Sequence, residues 1–214
     1  MVKLNWGLKM KFEKIIAKYI KKKSVSDLIK TIEVGEDKVV ATNGYWLIID
    51  RTVQKSDSGK YYLNVFTSER KTEADFPNYD TILFNDDEII LAKLDTKKLM
   101  EIHNVLKIGT FIKLKIENEK LYVSGISIQE EKIKLDFDSK IEIGQVTIKN
   151  ITSEFSFGYY TFACLIDLIE YHKIYDLELV IENKEIERLK TKSRTFIIKF
   201  KNPCFDFYTI SETI

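Results

Sequence analysis

Apolar residues in the first thirty positions recur at helical spacing: Phe12, Ile15, Ile16, Tyr19 and Ile20 fall on one stripe, and Lys11, Lys14, Lys18 and Lys22 on another. This predicts an amphipathic helix with a lysine face. Strand-like runs follow at Leu28 to Val34, Lys38 to Thr42 and Tyr45 to Arg51, separated by "GED" and "NG". The Asn43-Gly44 pair predicts a tight hairpin with positive φ at both positions. A polar loop covers Thr52 to Lys60, and Tyr61 to Phe66 reads as another strand.

Between Asp75 and Glu88, "DFPNYD" and "NDDE" bracket a short apolar segment, and Pro77 interrupts strand pairing, which predicts a boundary. Beyond it the same grammar repeats. Ile89 to Leu91 is a strand, Asp95 an N-cap, and Leu99, Ile102 and Leu106 one face of a helix that ends before Gly109. Strands are expected at Phe111 to Ile116, Leu121 to Ser124 and Lys132 to Phe137, the first two joined across "ENEK". A third round has a strand at Gln145 to Ile151, an apolar helix from Tyr159 to His172, and strands at Leu177 to Ile181, Thr195 to Phe200 and Phe205 to Ile210. Three rounds of strand, helix and antiparallel strands form an internal repeat. The expected class is α+β, repeats of antiparallel sheets with helices on one face.

Hydrophobic residues at 44% and charged residues at 31% of 214 describe a folded chain, not a disordered one. No apolar run reaches the ~20 residues that cross a bilayer, and the opening "MVKLNWGLKMKFEK" is charged where a secretory signal needs an apolar core, so a cytoplasmic protein without membrane partners is expected. Cys164 and Cys204 then read as two buried thiols. The net charge of +1 excludes a globally basic nucleic-acid binder. Yet Lys3, Lys9, Lys11, Lys14, Lys18, Lys21, Lys22 and Lys23 crowd the first segment with Glu13 as its only acid, so contact with a polyanion should begin there.

Candidate catalytic chemistry is thin. His103 and His172 have no nucleophile or metal-ligand set at recognisable spacing, and His103 reads as a packed side chain. Asp136 and Asp138 share one strand face as metal-nuclease carboxylates do, but Lys132 and Lys134 lie on that face too, and an exposed alternating strand is the simpler reading. "NDDE" from Asn85 to Glu88 reads as the end of a linker, and no glycine-rich phosphate loop occurs. The expectation is a non-enzyme with no catalytic residues, metal or cofactor.

Two segments carry a family resemblance. "ATNGYWL" from Ala41 to Leu47 resembles the "ATDGHRL" segment of bacterial DNA polymerase sliding clamps, the DNA polymerase III beta subunit family, and "FPNYDTI" from Phe76 to Ile82 resembles their "YPDY" linker. In the same order, "LDTKKLMEIHNVL" is similar to the first helix of the clamp's last domain, "FIKLKIENEKLYVSG" to its hairpin, and "FYTISETI" to the C-terminal strand and tail. The resemblance implies a shortened clamp: a truncated clamp-like domain at 1–75, a linker at 76–88 and a complete domain at 89–214. With three helical units where the family has six, it looks like a phage or mobile-element version.

What the family does supplies the functional expectation: a DNA polymerase processivity factor that binds duplex DNA without sequence preference and tethers a polymerase through a peptide motif. DNA contact is expected at Lys9, Lys11, Lys14, Lys18, Lys21, Lys22, Lys97 and Lys98, since phosphate neutralisation needs no base readout. The third helix offers Asp167 and Glu170 with only Lys173. The clamp-binding peptide of a polymerase is expected at Thr42, Gly44, Tyr45, Trp46, Leu47, Phe84, Tyr208 and Ile210, where Tyr45 and Trp46 replace the family's His-Arg and Trp46 is the expected anchor. A homo-oligomer joined through edge strands is expected, because three units are too few to encircle DNA alone. The alternative is a clamp-derived interaction module, a decoy or adaptor that does not encircle DNA.

Overall fold

The computed structural model describes residues 6–20, 29–52, 59–84, 87–106, 111–129, 132–135, 140–189 and 195–213, with the backbone alone at 6–11, 127–129, 132–135, 188 and 213. The chain divides into two compact units, 1–83 with 203–207, and 84–202 with 208–214.

In the first unit, helix α1 (Trp6–Tyr19) precedes strands β1 (Thr31–Val34), β2 (Val39–Thr42), β3 (Trp46–Asp50), β4 (Tyr61–Asn64) and β5 (Arg70–Lys71). They lie in the antiparallel order β5–β4–β1–β2–β3, and β3 continues to β14 (Phe205–Thr213), whose residues 205–207 belong to this unit. The apolar runs of β2 and β3 are buried at every position. Phe12, Ile16 and Ile20 of the helical stripe are buried as well, while Lys14 and Lys18 are exposed.

The hairpin at "NG" differs from expectation by one residue. Gly44 has φ +88°, but Asn43 is not among the residues with positive φ. The Asn43 amide donates to the Trp46 carbonyl at 3.3 Å and Thr42 pairs with Leu47, so Gly44 and Tyr45 are the two turn residues. A Gly-X turn needs positive φ only at its glycine. The Asn43 side chain provides the reason for the shift: its Oδ1 accepts from the amides of Tyr45 at 2.9 Å and Trp46 at 3.1 Å, an Asx-type closure that leaves Asn43 itself outside the turn.

Residues 76–83 are fixed onto this unit. Phe76 lies 5.8 Å from the Tyr62 ring and 6.2 Å from Tyr79, and the Tyr79 hydroxyl donates to Glu33 Oε1 at 3.0 Å. Lys60 reaches the other Glu33 oxygen at 2.7 Å. Burial, then the Glu33 carboxylate, pushes the Tyr79 hydroxyl well above its ordinary value, and the hydrogen bond to Glu33 does the same for Lys60.

The second unit is built from two successive copies of one plan. The first copy is β6 (Glu88–Asp95), α2 (Thr96–His103), β7 (Phe111–Glu117), β8 (Lys120–Gln129), its hairpin partner β9 (Lys132–Leu135), and β10 (Ile141–Val146). The second is β11 (Ser153–Gly158), α3 (Tyr159–His172), β12 (Asp176–Glu182), a 3-10 turn with the short α4 (Ile186–Leu189), β13 (Thr195–Lys201) and the remainder of β14. The strand order is β11–β7–β8–β10–β6–β12–β13–β14, and β14 pairs back onto β11. Each half therefore holds three strands of one copy and the first strand of the other. This exchange ties the copies together and leaves no free edge among these eight strands. Phe155 meets Phe196 at 5.5 Å and Phe157 meets Phe200 at 5.9 Å in the core, and α2 packs on α3.

Local chemistry explains the elements. Asp95 Oδ1 accepts from the Lys98 amide at 3.1 Å, capping α2 as expected. Asn118 and Glu119 of "ENEK" have φ of 54° and 59° between the paired Glu117 and Lys120, a type I′ turn. Gln145 to Ile151, expected as one strand, is instead the end of β10 and a turn, with Asn150 at φ 60° and β11 starting at Ser153. The alternation of "QVTIKNI" mimics a strand, but Asn150 tolerates the left-handed conformation and Lys149 precedes it at the turn.

Two backbone positions yield predictions. Lys173 ends α3 at φ 54°, with the Ile174 amide donating to the Ile169 carbonyl at 3.0 Å, a Schellman closure that favours glycine. Lys173→Gly should raise stability by about 1 kcal/mol, read as a higher denaturation midpoint. At Gly144 in β10 a Cβ would stand 2.2 Å from the Lys93 carbonyl oxygen of β6, against backbone that cannot rotate away. Gly144→Ala should cost about 2 kcal/mol in the same measurement.

Candidate functional site

Of the lysines expected at DNA, those among the described residues lie on two helices, one in each unit. In the first unit, Lys9, Lys11, Lys14 and Lys18 all fall within α1, where Lys14 and Lys18 are exposed and Lys18 lies 5.1 Å from the Tyr19 ring; the side chains of Lys9 and Lys11, and all of Lys21 and Lys22, are outside the described residues. In the second unit, Lys97 is exposed on the first turn of α2 and Lys98 stands 3.8 Å from Asp95. Helix α3 differs. Six consecutive residues from Thr161 to Ile166 are buried, and Glu170 is exposed on its last turns, so it offers an acid where the other helices offer cations.

The sheet face of β7, β8 and β11 has charge of another kind. Lys113 pairs with Glu154 at 2.5 Å, Lys115 with Glu117 at 3.0 Å, and Lys120 with Glu142 of β10 at 2.7 Å. The neighbouring ammoniums, Lys115 first for Glu117 and Lys120 for Glu142, hold these carboxyls below their usual range. These lysines are committed to carboxylates, as Lys98 is to Asp95.

Of the expected peptide residues, Thr42, Gly44, Tyr45, Trp46 and Leu47 lie in the first unit. Thr42 Oγ1 accepts from the Gly44 amide at 3.1 Å and donates to the Trp46 carbonyl at 2.6 Å. The one-residue shift of the turn decides the rest. Tyr45 sits at the turn and is 72% exposed, whereas Trp46 begins β3, is 2% exposed, and stacks on Phe207 at 6.2 Å. Trp46 and the buried Leu47 are core residues, so Trp46 is not the surface anchor expected of it; Tyr45 is the ring that a ligand can reach.

Phe84, Tyr208 and Ile210 belong to the second unit. Phe84 meets Tyr208 edge to face, with centroids 5.4 Å apart at 86°, and Ile210 is 47% exposed. Beside the rings is a group the sequence reading missed. Lys199 of β13 is buried, forms an ion pair with Glu88, and stands 5.5 Å from the Phe84 centroid and 5.3 Å from that of Tyr208. Glu88 also holds Lys201 at 2.7 Å. Burial pushes the Glu88 carboxyl up, but the two ammoniums outweigh it and leave it below its ordinary value. Alternation in "TFIIKFK" puts Lys199 opposite Phe196, Ile198 and Phe200 and suggests a solvated lysine; a cover of aromatic rings leaves no local signal.

His103 packs against Tyr159 at 5.8 Å and Phe162 at 6.1 Å, as expected. His172 lies 4.5 Å from Tyr171. Asp136 and Asp138, and Asn85 and Asp86 of "NDDE", are outside the described residues. Among the described residues no three His, Cys, Asp or Glu side chains could share a metal ion, and no helix is long and apolar enough to cross a membrane. Cys164 is buried and Cys204 half-buried, and burial followed by the nearby Asp50 pushes the Cys204 thiol up.

No protein-family model matches the sequence, and no curated protein matches it. Solved structures do. The Helicobacter pylori beta clamp bound to a DNA ligase peptide superimposes with a TM-score of 0.63 at 13% identity, covering 98% of this chain and 64% of that one. The DNA polymerase III subunit beta of Pseudomonas aeruginosa gives a TM-score of 0.61 at 13% identity, covering 97% of this chain and 64% of that one. The fold is therefore the antiparallel, helix-bearing fold of these clamps, in a chain that spans about two thirds of their length.

Proposed function

We propose, from the premise that this chain carries the sliding-clamp fold, that it is a non-enzymatic scaffold which holds duplex DNA without reading its sequence and tethers a DNA polymerase by a short peptide. The observation that carries this reading is the superposition on clamp structures over nearly the whole of this chain, whose second unit is a strand-exchanged double copy. Processivity would follow from effective concentration: a tethered polymerase rebinds its primer end as a local event.

In this reading the α1 lysines and Lys97 and Lys98 face phosphates, while the ion-paired sheet lysines do not. Peptide capture is assigned to the second unit, at the exposed Ile210 and the half-buried Phe84, which packs on the buried Tyr208. The H. pylori clamp is bound to a DNA ligase peptide, which supports a peptide site of the same kind here. Three helical units are too few to enclose DNA, so enclosure uses copies of the chain, and four copies would supply twelve of the major helices seen among the described residues.

Mass measurement of the full chain in solution tests the assembly. A closed homo-oligomer is expected. A monomer at every concentration would favour the decoy or adaptor reading over the ring.

A further inference from the structure

The first unit is one half of the plan that the second unit carries twice. In the second unit β11, β7, β8 and β10 lie side by side, and α2 leads into β7. In the first unit β4, β1, β2 and β3 lie in the same antiparallel order, and α1 leads into β1. Strand β4 therefore stands where β11 stands, as the opening strand of a second copy. After β11 come a helix and three long strands, whereas among the described residues of the first unit β4 is followed only by the two-residue β5 and a 3-10 turn.

The consequence falls on α1. Helix α2 is flanked by α3, where His103 lies 5.8 Å from Tyr159 and 6.1 Å from Phe162, but the described residues of the first unit include no second α-helix. Around α1, Phe12, Ile16 and Ile20 form the buried row, and Lys14 and Lys18 the exposed one. At about 100° per residue, Ile15 and Tyr19 fall together between these rows on one flank, and Glu13 and Ala17 on the other. Ile15 and Tyr19 are half-buried, an apolar pair four residues apart, which is the spacing of a ridge that packs on another helix.

We infer that this flank receives α1 of a second copy of the chain, so that two first units, related by a two-fold axis, complete between them what the second unit holds within one chain. The occupant follows from the chain itself. Its second unit shows this plan completed by another copy of the same plan, and the chain matches only 64% of the H. pylori clamp, so a second copy is the available source of the missing half. The contact is isologous: Ile15 and Tyr19 of each copy meet the same pair of the other, and four copies would hold two such contacts. The inference rests on the assembly reading above and names one of its interfaces. Charge sets a condition, because pairing brings two lysine rows side by side. Their repulsion reaches about 10 Å at 0.1 M salt and about 3 Å at 1 M, so the contact forms best at high salt or where a polyanion lies along both rows.

Sedimentation equilibrium of the full chain at about 1 M salt, where that repulsion is screened, reads the association. The wild type should contain an even number of copies. Ile15→Lys with Tyr19→Lys, which by symmetry enters the contact twice, should weaken association about a hundredfold and halve the mass at equal concentration. Ala17→Lys, on the opposite flank, should leave the mass as in the wild type. Far-ultraviolet circular dichroism of the same samples checks folding, and if the lysine pair does not fold, Ile15→Ala with Tyr19→Ala should weaken association about tenfold. An unchanged mass in the flank variants, an equal loss from Ala17→Lys, or an odd number of copies in the wild type would overturn this interface. A wild-type chain that is monomeric at every concentration would overturn the assembly reading itself, and shows before any substitution is made.

Discussion

Replacing Trp46 by alanine is expected to cost about 4 kcal/mol of stability, the upper range for truncating a buried aromatic residue. The ring is 2% exposed, stacks on Phe207, and starts a strand buried at all five positions, so its removal leaves a cavity that the paired backbone of β2 and β3 cannot fill. Among the described residues its buried indole nitrogen meets no hydrogen-bond partner. Trp46→Phe therefore loses no hydrogen bond and should cost less than about 1.5 kcal/mol. Urea denaturation followed by far-ultraviolet circular dichroism separates the two. A Trp46→Ala midpoint equal to that of the wild type would return Trp46 to the surface and undo the turn assignment at Gly44 and Tyr45. Tyr45→Ala, by contrast, should leave the midpoint unchanged, because its side chain has little packing to lose.

The second large effect concerns the lysine stripe. Changing Lys11, Lys14, Lys18 and Lys22 to glutamate should weaken binding to duplex DNA about a thousandfold at roughly 0.1 M salt, since each phosphate contact supplies close to a tenfold gain through counterion release. The slope of log affinity against log salt should fall by about one per lysine removed, about four in all. Lys14 and Lys18 lie on the exposed side of α1, opposite the buried Phe12 and Ile16, so thermal stability should be almost unaffected. Reversal of Lys113, Lys115 and Lys120, which are already paired with carboxylates, should change DNA affinity far less. Equal losses from the two sets would show that DNA responds to overall charge and not to the helices.

The elements with strong local chemistry were legible in the sequence. Asp95 caps α2, the apolar run from Tyr159 to His172 is α3, and "ENEK" closes a hairpin, because each depends on neighbours in the chain. Likewise, the similarity of "ATNGYWL" and "FPNYDTI" to clamp segments pointed to the fold that the superpositions show. Failures came where a distant or competing partner decides the outcome. Asn43 could sit in the turn or close it with its side chain, and the two options differ by one residue, which exchanges the exposures of Tyr45 and Trp46. Lys199 reads as solvated until the rings of Phe84 and Tyr208, far away in the chain, cover it. The exchange of β6 and β11 between the two copies is a long-range pairing that strand periodicity alone does not encode.

Enclosure of DNA is tested most directly by topology. The full chain is assembled on a nicked circular duplex, washed at high salt, and the circle is then either left intact or cut once with a restriction enzyme. A clamp-like ring is predicted to stay on the intact circle through the wash and to be lost on cutting, since it can slide off only from a free end. Equal retention on cut and intact circles, or complete loss from both in the wash, would contradict enclosure and leave the fold serving peptide capture alone.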